Sequence, residues 1–319
     1  MKIVYLGSGE FGIDCLNALA ESTHTLQLIV TQPPQPAGRG RTPRQTPVAR
    51  WASSSRQTVP FIEAEDVNAP QVVDKIAQLQ PDLIVVIAFG QKIDNRLINL
   101  PPKGAINVHA SLLPKYRGAA PINWVIINGE HQTGITIIGL AEIIDAGDIL
   151  AQVKTDIGVN ETAGELHDRL ARLAAALLVE TIEKIAEGSV VYTKQDPSKA
   201  MRAPKLKKSD GFLNFSDPAE SLRRRILGLW PWPGASAVYV SGKASKPVRV
   251  TIAMAESVDT SNPANLPPGT LDENLNLICG QNALKITKIK PEGSGLMNFK
   301  DFVNGRATRP GDQFIRIEN

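Results

Sequence analysis

The sequence predicts an α/β fold in two parts: a Rossmann-like N-terminal domain on a parallel-rich sheet, followed by a small C-terminal β-barrel. Three observations predict it. Strand-like apolar runs alternate with amphipathic helical stretches through the first half; a polar, basic, proline-containing stretch interrupts the chain near Ala200; short strand-like runs punctuated by Gly and Pro follow. At 319 residues the chain exceeds the usual size of one hydrophobic core, which favours two domains. With 42% hydrophobic and 21% charged residues there is apolar side chain enough for a core in each half, and disorder is excluded for most of the chain.

A first strand is expected over Ile3 to Leu6, where β-branched and aromatic side chains lead into a glycine turn, and a helix over Phe11 to Ala20. Further strands are expected over Gln27 to Thr31, Asp82 to Ala88, Gly104 to His109 and Gly134 to Gly139, with helices over Asn68 to Leu79 and Ala119 to Asn128. Nearly continuous apolar strands separated by helices argue for a parallel sheet covered on both faces. Such sheets bind ligands at the carboxyl ends of their strands. A long helix is expected from Thr162 to Glu187: Thr162 and Glu165 have capping-box spacing, and Leu166, Leu170, Leu173, Leu177 and Ile185 make an apolar stripe. From Gln195 to Asp210 the chain is polar and basic, with Pro197 and Pro204. The expected division is a domain over 1–194, a linker over 195–206 and a barrel over 207–319. Barrel strands are expected at Phe212 to Phe215, Ser236 to Val240, Val248 to Met254, Asn276 to Cys279 and Leu284 to Ile289.

The charge is unevenly divided. Residues 1–206 carry 20 Lys and Arg against 21 Asp and Glu, whereas residues 207–319 carry 15 against 11. The excess positive charge of the last third suits an anionic partner, or serves solubility alone. No apolar run approaches the roughly 20 residues of a membrane-spanning helix. Met1-Lys2 leads straight into the first strand without the features of a secretion signal, so a cytoplasmic location is expected. Cys15 and Cys279 are too few for a disulfide framework and lie in no metal-ligand pattern; both are expected to be buried small apolar residues, with no metal site.

Four segments bear on chemistry. Gly7-Ser8-Gly9-Glu10-Phe11-Gly12 matches Gly-x-Gly-x-x-Gly between a strand and a helix, which alone suggests a nicotinamide dinucleotide site. The second strand, however, ends in Thr31-Gln32-Pro33-Pro34 with no carboxylate for a ribose, and Glu10 puts negative charge where pyrophosphate would sit. A tight turn needing small residues is the preferred reading. The long Pro/Gly-rich loop after that strand carries Arg39, Arg41 and Arg44, with Arg50 beyond, and no acid. It is either a solvated loop or a contact for phosphates, whose oxygens match guanidinium forks. In Asn107-Val108-His109, the amide and the imidazole share one face of a strand end. Asp145 follows the next apolar strand and can reach the same mouth, Asp148 reading as a turn residue. An amide donor for an oxyanion, an imidazole for proton transfer and a carboxylate to orient it suit chemistry at a carbonyl. Last, Lys205, Lys207 and Lys208 with Arg223, Arg224 and Arg225 form a basic run across the linker and early barrel, either a solvated face or a phosphate-binding one. His24, His131 and His167 lack partners at metal-ligand spacing, and no phosphate-binding Gly-x-x-x-x-Gly-Lys loop or Gly-x-Ser-x-Gly elbow is present.

Asn107-Val108-His109-Ala110-Ser111-Leu112-Leu113-Pro114-Lys115-Tyr116-Arg117-Gly118, with Asp145-Ala146-Gly147-Asp148, resembles the signature of the 10-formyltetrahydrofolate-dependent formyltransferases. Gln32-Pro33 to Arg41 and Gly118-Ala119-Ala120-Pro121-Ile122 resemble the branch that formylates methionyl-tRNA, and the similarity runs over nearly the whole chain. The resemblance implies an OB-like C-terminal barrel that holds tRNA and a function in translation initiation and one-carbon metabolism. It also implies that Asn107 bonds the formyl oxygen, that His109 moves a proton and stabilises the oxyanion, and that Asp145 holds His109 through water. Ser111, Leu112, Leu113 and Pro114 would border the folate, and Phe89, Gly90 and Gln91 would line the pterin pocket. The implied partners are 10-formyltetrahydrofolate as donor and methionylated initiator tRNA as acceptor, with no membrane and a monomer as the expected state. One departure stands out: where the family has an acidic residue and a glycine shortly before the Asp, this chain has Leu140-Ala141-Glu142-Ile143-Ile144. The alternatives are a formyltransferase acting on a sugar nucleotide or other small amine and, more distantly, an NAD-dependent oxidoreductase.

Overall fold

The computed structural model describes residues 1–37, 42–54, 59–242, 246–260 and 265–318. One unit comprises Met1–Pro121, Gln132–Asp156 and His167–Ala203; the other comprises Ile122–His131, Ile157–Leu166 and Pro204–Asn319. Up to the end of the long helix the elements are β1 (Lys2–Gly7), α1 (Ile13–Glu21), β2 (Thr25–Thr31), β3 (Gln35–Ala37), β4 (Thr42–Arg44), α2 (Pro47–Ser54), β5 (Phe61–Glu63), α3 (Pro70–Gln78), β6 (Leu83–Ile87), α4 (Asn95–Ile98), β7 (Ala105–His109), α5 (Pro121–Ile127), β8 (Gln132–Gly139), β9 (Ile149–Asp156) and α6 (Ala163–Glu187).

A seven-stranded sheet of order β5-β2-β1-β6-β7-β8-β9 carries the first unit. Its first five strands are parallel, as their continuous apolar character predicts. Alternate residues serve opposite faces: Val4, Leu6, Val30, Ile84, Val86 and Ala105 join Val73, Ile76 and Leu97 of α3 and α4 in one core cluster. Tyr5 points the other way, toward the start of α1, and its hydroxyl donates to Gly12 O at 3.3 Å. The strand β8 departs from the expectation by running antiparallel to β7, and β9, not expected from the sequence, runs antiparallel to β8 in turn. A nine-residue connection with no helix in it joins them, and a hairpin reverses the chain without a crossover.

Other differences are local. The arginine-bearing loop stands on a hairpin, β3 against β4 with Pro36 opposite Pro43, which apolar periodicity does not register. In α6 the capping box forms as expected, Thr162 N donating to Glu165 Oε2 at 2.9 Å and Glu165 N to Thr162 Oγ1 at 3.3 Å. The buried stripe runs through Leu166, Leu170, Ala174, Leu178, Ile182 and Ile185, and the expected Leu173 and Leu177 are only half-buried. Both cysteines are buried, and burial pushes each thiol up to about 12. No helix among the described residues is long and apolar enough to cross a membrane.

The second unit is built from α7 (Ala219–Leu229), β10 (Ala235–Val240), β11 (Val248–Val258), β12 (Leu277–Ile278), β13 (Ala283–Pro291), β14 (Met297–Asn298), α8 (Phe299–Arg306) and β15 (Gln313–Ile315). The antiparallel order is β12-β13-β11-β10-β15, with β14 beside β13. Residues 270–271 close it into a barrel: Thr270 pairs with Gln313 of β15, and Leu271 with Leu277 of β12. Closure removes exposed edges. Leu222 and Ile226 of α7 and Phe299 and Phe302 of α8 join Phe314 and the inward strand residues in one core. The expected strand over Phe212 to Phe215 does not form. Only Phe212 makes a bridge, to Ser236, while Asn214 Nδ2 donates to Asp217 Oδ1 and takes the chain into a turn.

A polar knot pins the barrel. Tyr239 Oη donates to Asp312 Oδ2 at 2.7 Å and accepts from the Thr308 hydroxyl at 2.8 Å; the N–H groups of Gly242 and Arg309 also donate to Asp312. Burial pushes the Asp312 carboxyl up, and the bonds from Tyr239, Gly242, Arg309 and Ser241 more than offset it, leaving it below its ordinary value. A depressed carboxylate stabilises the fold above its unfolded pKa of about 3.9, and that contribution is lost as pH falls through the folded value. In urea unfolding, Asp312→Ala should therefore cost about 1–3 kcal/mol at pH 7 by stranding buried donors. The gap to wild type should hold down to about pH 5 and shrink below about pH 4. A gap that does not change with pH would remove the charge from this account.

Candidate active site

Asn107 and His109 occupy alternate positions of β7, on the face that Ala105 shares with α3 and α4. Their degrees of burial differ. His109 is buried, whereas the Asn107 amide is half-buried and makes no hydrogen bond among the described residues. An unspent amide at a strand end is a free donor for a ligand oxygen. The His109 ring is held from both sides: Nε2–H donates to Tyr116 O at 2.9 Å, and Nδ1 lies 3.6 Å from Asp145 Oδ2.

Asp145 reaches His109 by an indirect route. Because β8 is antiparallel, its last residues lie beside the start of β7, with Gly139 opposite Ile106 and Leu140 N bonded to Ala105 O. The 140–148 loop folds back along the sheet to bring the carboxylate to His109. Asp145 has φ 55°, a left-handed conformation costly for a side-chain-bearing residue, and its Oδ2 accepts the Gly118 N–H at 2.8 Å. Gly118 has φ 122°, and a Cβ there would lie 2.6 Å from Ala203 O, so only glycine presents that N–H. Ile143 and Ile144 are exposed on the same loop, and Ile143 takes no positive φ, so its backbone does not require the glycine of the family pattern.

Opposite lies the end of β6. With Val86 beside Asn107, Phe89-Gly90-Gln91 leaves the sheet next to His109 and Ala110. Phe89 is buried with its carbonyl held by Gln32 Nε2 at 2.9 Å, and Gln91 spends its amide on Ala64 O and Val67 N. Beyond β7, Ser111 Oγ donates to Lys115 O, and Leu113 N donates to Thr136 Oγ1. Gln152 Nε2 donates to both Thr136 Oγ1 and Leu113 O, which holds the backbone between Leu112 and Pro114. Thr136 and Gln152, on β8 and β9, were not anticipated from the sequence, where neither stands in a motif.

The glycine-rich turn has no free cradle. The Ser8 and Gly9 N–H groups both donate to Ala88 O, and a Cβ on Gly12 would meet the Tyr5 hydroxyl at 2.0 Å. The N–H groups that would meet a pyrophosphate are already used, which favours the tight-turn reading. Among the loop arginines, Arg44 is exposed on β4, whereas Arg39 and Arg41 lie outside the described residues. In the second unit Lys205, Lys207 and Lys208 are exposed. The Arg223 and Arg224 guanidinium groups are both bonded to Glu220, Arg223 also reaches Val159 O, and Arg225 bonds Asp210 O. The Arg223 hydrogen bond is the main reason that the Glu220 carboxyl sits below its ordinary value, with burial opposing it.

Residues 1–182 match the family described as formyl transferase, and residues 205–307 match the formyl transferase C-terminal domain. The chain belongs to the formyl transferase family. This formyl transferase is 38% identical over 314 residues to a methionyl-tRNA formyltransferase of Citrifermentans bemidjiense, covering 98% of this chain and 95% of that protein. It is 40% identical over 309 residues to the methionyl-tRNA formyltransferase of Caldanaerobacter subterraneus subsp. tengcongensis, covering 96% and 97%. The fold is shared with WlaRD, a sugar 3N-formyl transferase, at TM-score 0.64, 14% identity and coverage of 92% of this chain and 99% of that one. It is also shared with HypX from Aquifex aeolicus at TM-score 0.62 and 16% identity, where 95% of this formyl transferase spans 47% of that longer chain.

Proposed function

We propose that this formyl transferase moves the formyl group of 10-formyltetrahydrofolate to the α-amino group of methionine esterified to initiator tRNA, for translation initiation. The observation that carries the reading is the near-full-length likeness to methionyl-tRNA formyltransferases. The geometry supplies matching chemistry. The amine nitrogen bonds to the formyl carbon, the bond from that carbon to N10 of the folate breaks, the amine gives up a proton and N10 gains one. Negative charge gathers on the formyl oxygen as this happens, and the unspent Asn107 amide suits that oxygen as donor. His109 moves the proton, and Asp145 holds the imidazole in position. The segments that follow β6 and β7, Phe89-Gly90-Gln91 and Leu112 to Pro114, offer a buried aromatic and closely held backbone, which suits the border of a pterin site. Incubation with 10-formyltetrahydrofolate and methionylated initiator tRNA should yield formylmethionine on the tRNA. Formylation of a sugar-nucleotide amine and none of the tRNA would overturn the reading.

The tRNA would lie against exposed cations rather than those with internal partners. Binding of methionylated tRNA should weaken with salt by a logarithmic slope of about −0.9 per neutralised phosphate of duplex. Replacing Lys205, Lys207 and Lys208 by alanine should flatten that slope more than replacing Arg223 and Arg224, whose charge Glu220 already answers. Equal slopes in the lysine variant and the wild type would free those lysines from the interface.

A further inference from the structure

The carboxamide of Gln195 ties together three strands of backbone that meet at the site. Its Nε2 donates to Asp145 O at 2.8 Å and to Gly147 O at 2.7 Å, so both amide protons grip the loop that carries the carboxylate. Its Oε1 accepts from Arg117 Nε at 3.1 Å and from Arg117 Nη2 at 2.6 Å, a forked bond that fixes which end of the amide faces the loop. Arg117 is itself anchored, its N–H donating to Met201 O and its carbonyl accepting from Ala203 N. It directly precedes Gly118, whose N–H holds Asp145 Oδ2. The gripped carbonyl belongs to the residue whose left-handed backbone aims its carboxylate at His109. A strained conformation persists only where its surroundings over-determine it. The observed bonds do this from both sides of Asp145, Gln195 on its carbonyl and Gly118 on its carboxylate.

We infer that Gln195, oriented by Arg117, is a positioning residue for formyl transfer that acts by holding Asp145 against His109. The inference rests on the catalytic reading of Asp145 and His109 given above. Displacing a catalytic group by about 1 Å can cost about 10²-fold in rate. Gln195→Ala should therefore lower kcat roughly 10- to 100-fold while the KM for 10-formyltetrahydrofolate changes less than about threefold, because the lost contact serves chemistry rather than binding. Gln195→Glu is the second variant. It keeps an acceptor for Arg117 but sets a carboxylate against two carbonyls, so it should retain the melting temperature and still lose kcat; restored kcat in Gln195→Glu would assign the residue to Arg117 and to structure alone.

The deciding measurement is a double-mutant cycle of Gln195→Ala with Asp145→Asn in the full-length protein, assayed for formylation of methionylated tRNA. A residue that works through Asp145 has little left to lose once the carboxylate is gone, so Gln195→Ala should cost less than about threefold on the Asp145→Asn background. Independent, multiplying losses overturn the inference, as does wild-type kcat in folded Gln195→Ala. Wild-type kcat in Asp145→Asn would overturn the catalytic reading itself, and the inference with it.

Discussion

His109→Ala is expected to lower formyl-transfer turnover by roughly 10²-fold or more, the usual worth of a positioned acid-base group, while the protein stays folded. The imidazole is buried at the carboxyl end of β7, and both its nitrogens face acceptors, Tyr116 O and the Asp145 carboxylate. Neither contact belongs to the hydrophobic cluster that joins the sheet to α3 and α4. Removing the ring should therefore leave that cluster intact, which melting temperature and circular dichroism will check. The Asp145 carboxylate would then keep its bond from the Gly118 N–H at 2.8 Å. A folded His109→Ala protein with near wild-type turnover would remove the imidazole from the mechanism.

Asn107→Ala should cost a comparable factor, roughly 10²- to 10³-fold in kcat, the scale seen on loss of one oxyanion donor. The Asn107 side chain makes no hydrogen bond among the described residues, so its amide is not needed to satisfy the fold, and alanine removes only an unspent donor. Asn107→Asp tests the sign of the charge. It has the same size as the amide but sets a carboxylate beside developing negative charge, so it should be no better than alanine. Full activity in Asn107→Asp would mean that this side chain does not meet the formyl oxygen. Binding of 10-formyltetrahydrofolate, followed by fluorescence, should change little in either variant, because the donor acts mainly when the charge develops.

Much of this is legible in the sequence. Asn107 and His109 were placed on one strand face by their spacing alone, and β7 ends at His109 as expected. The capping box at Thr162 and Glu165 was equally local, a matter of two side chains three residues apart. What misled was long-range. The apolar run of β8 carries no mark of its direction, and only its pairing with β7 shows it to be antiparallel. In the α6 stripe, counting leucines favoured Leu173 and Leu177, whereas close approach of neighbours selects Ala174 and Leu178. The Phe212 to Phe215 run has β-forming side chains, yet the turn at Asn214 and Asp217 takes its backbone away from any ladder.

The sequence by itself determined the parallel strands, because residues buried on both faces must be apolar throughout, and it singled out the residue types of the candidate site, because Asn, His and Asp together suit chemistry at a carbonyl. Tertiary structure decided how those residues meet. Asp145 lies 36 positions after His109, in the loop that follows a strand running the opposite way, and it reaches the imidazole only because that loop folds back and adopts a left-handed turn. The carboxamide that holds that turn comes from Gln195, a residue with no motif around it. Its role is visible only in space, since a hydrogen bond between segments 50 residues apart depends on where two backbones pass and leaves no period in either one.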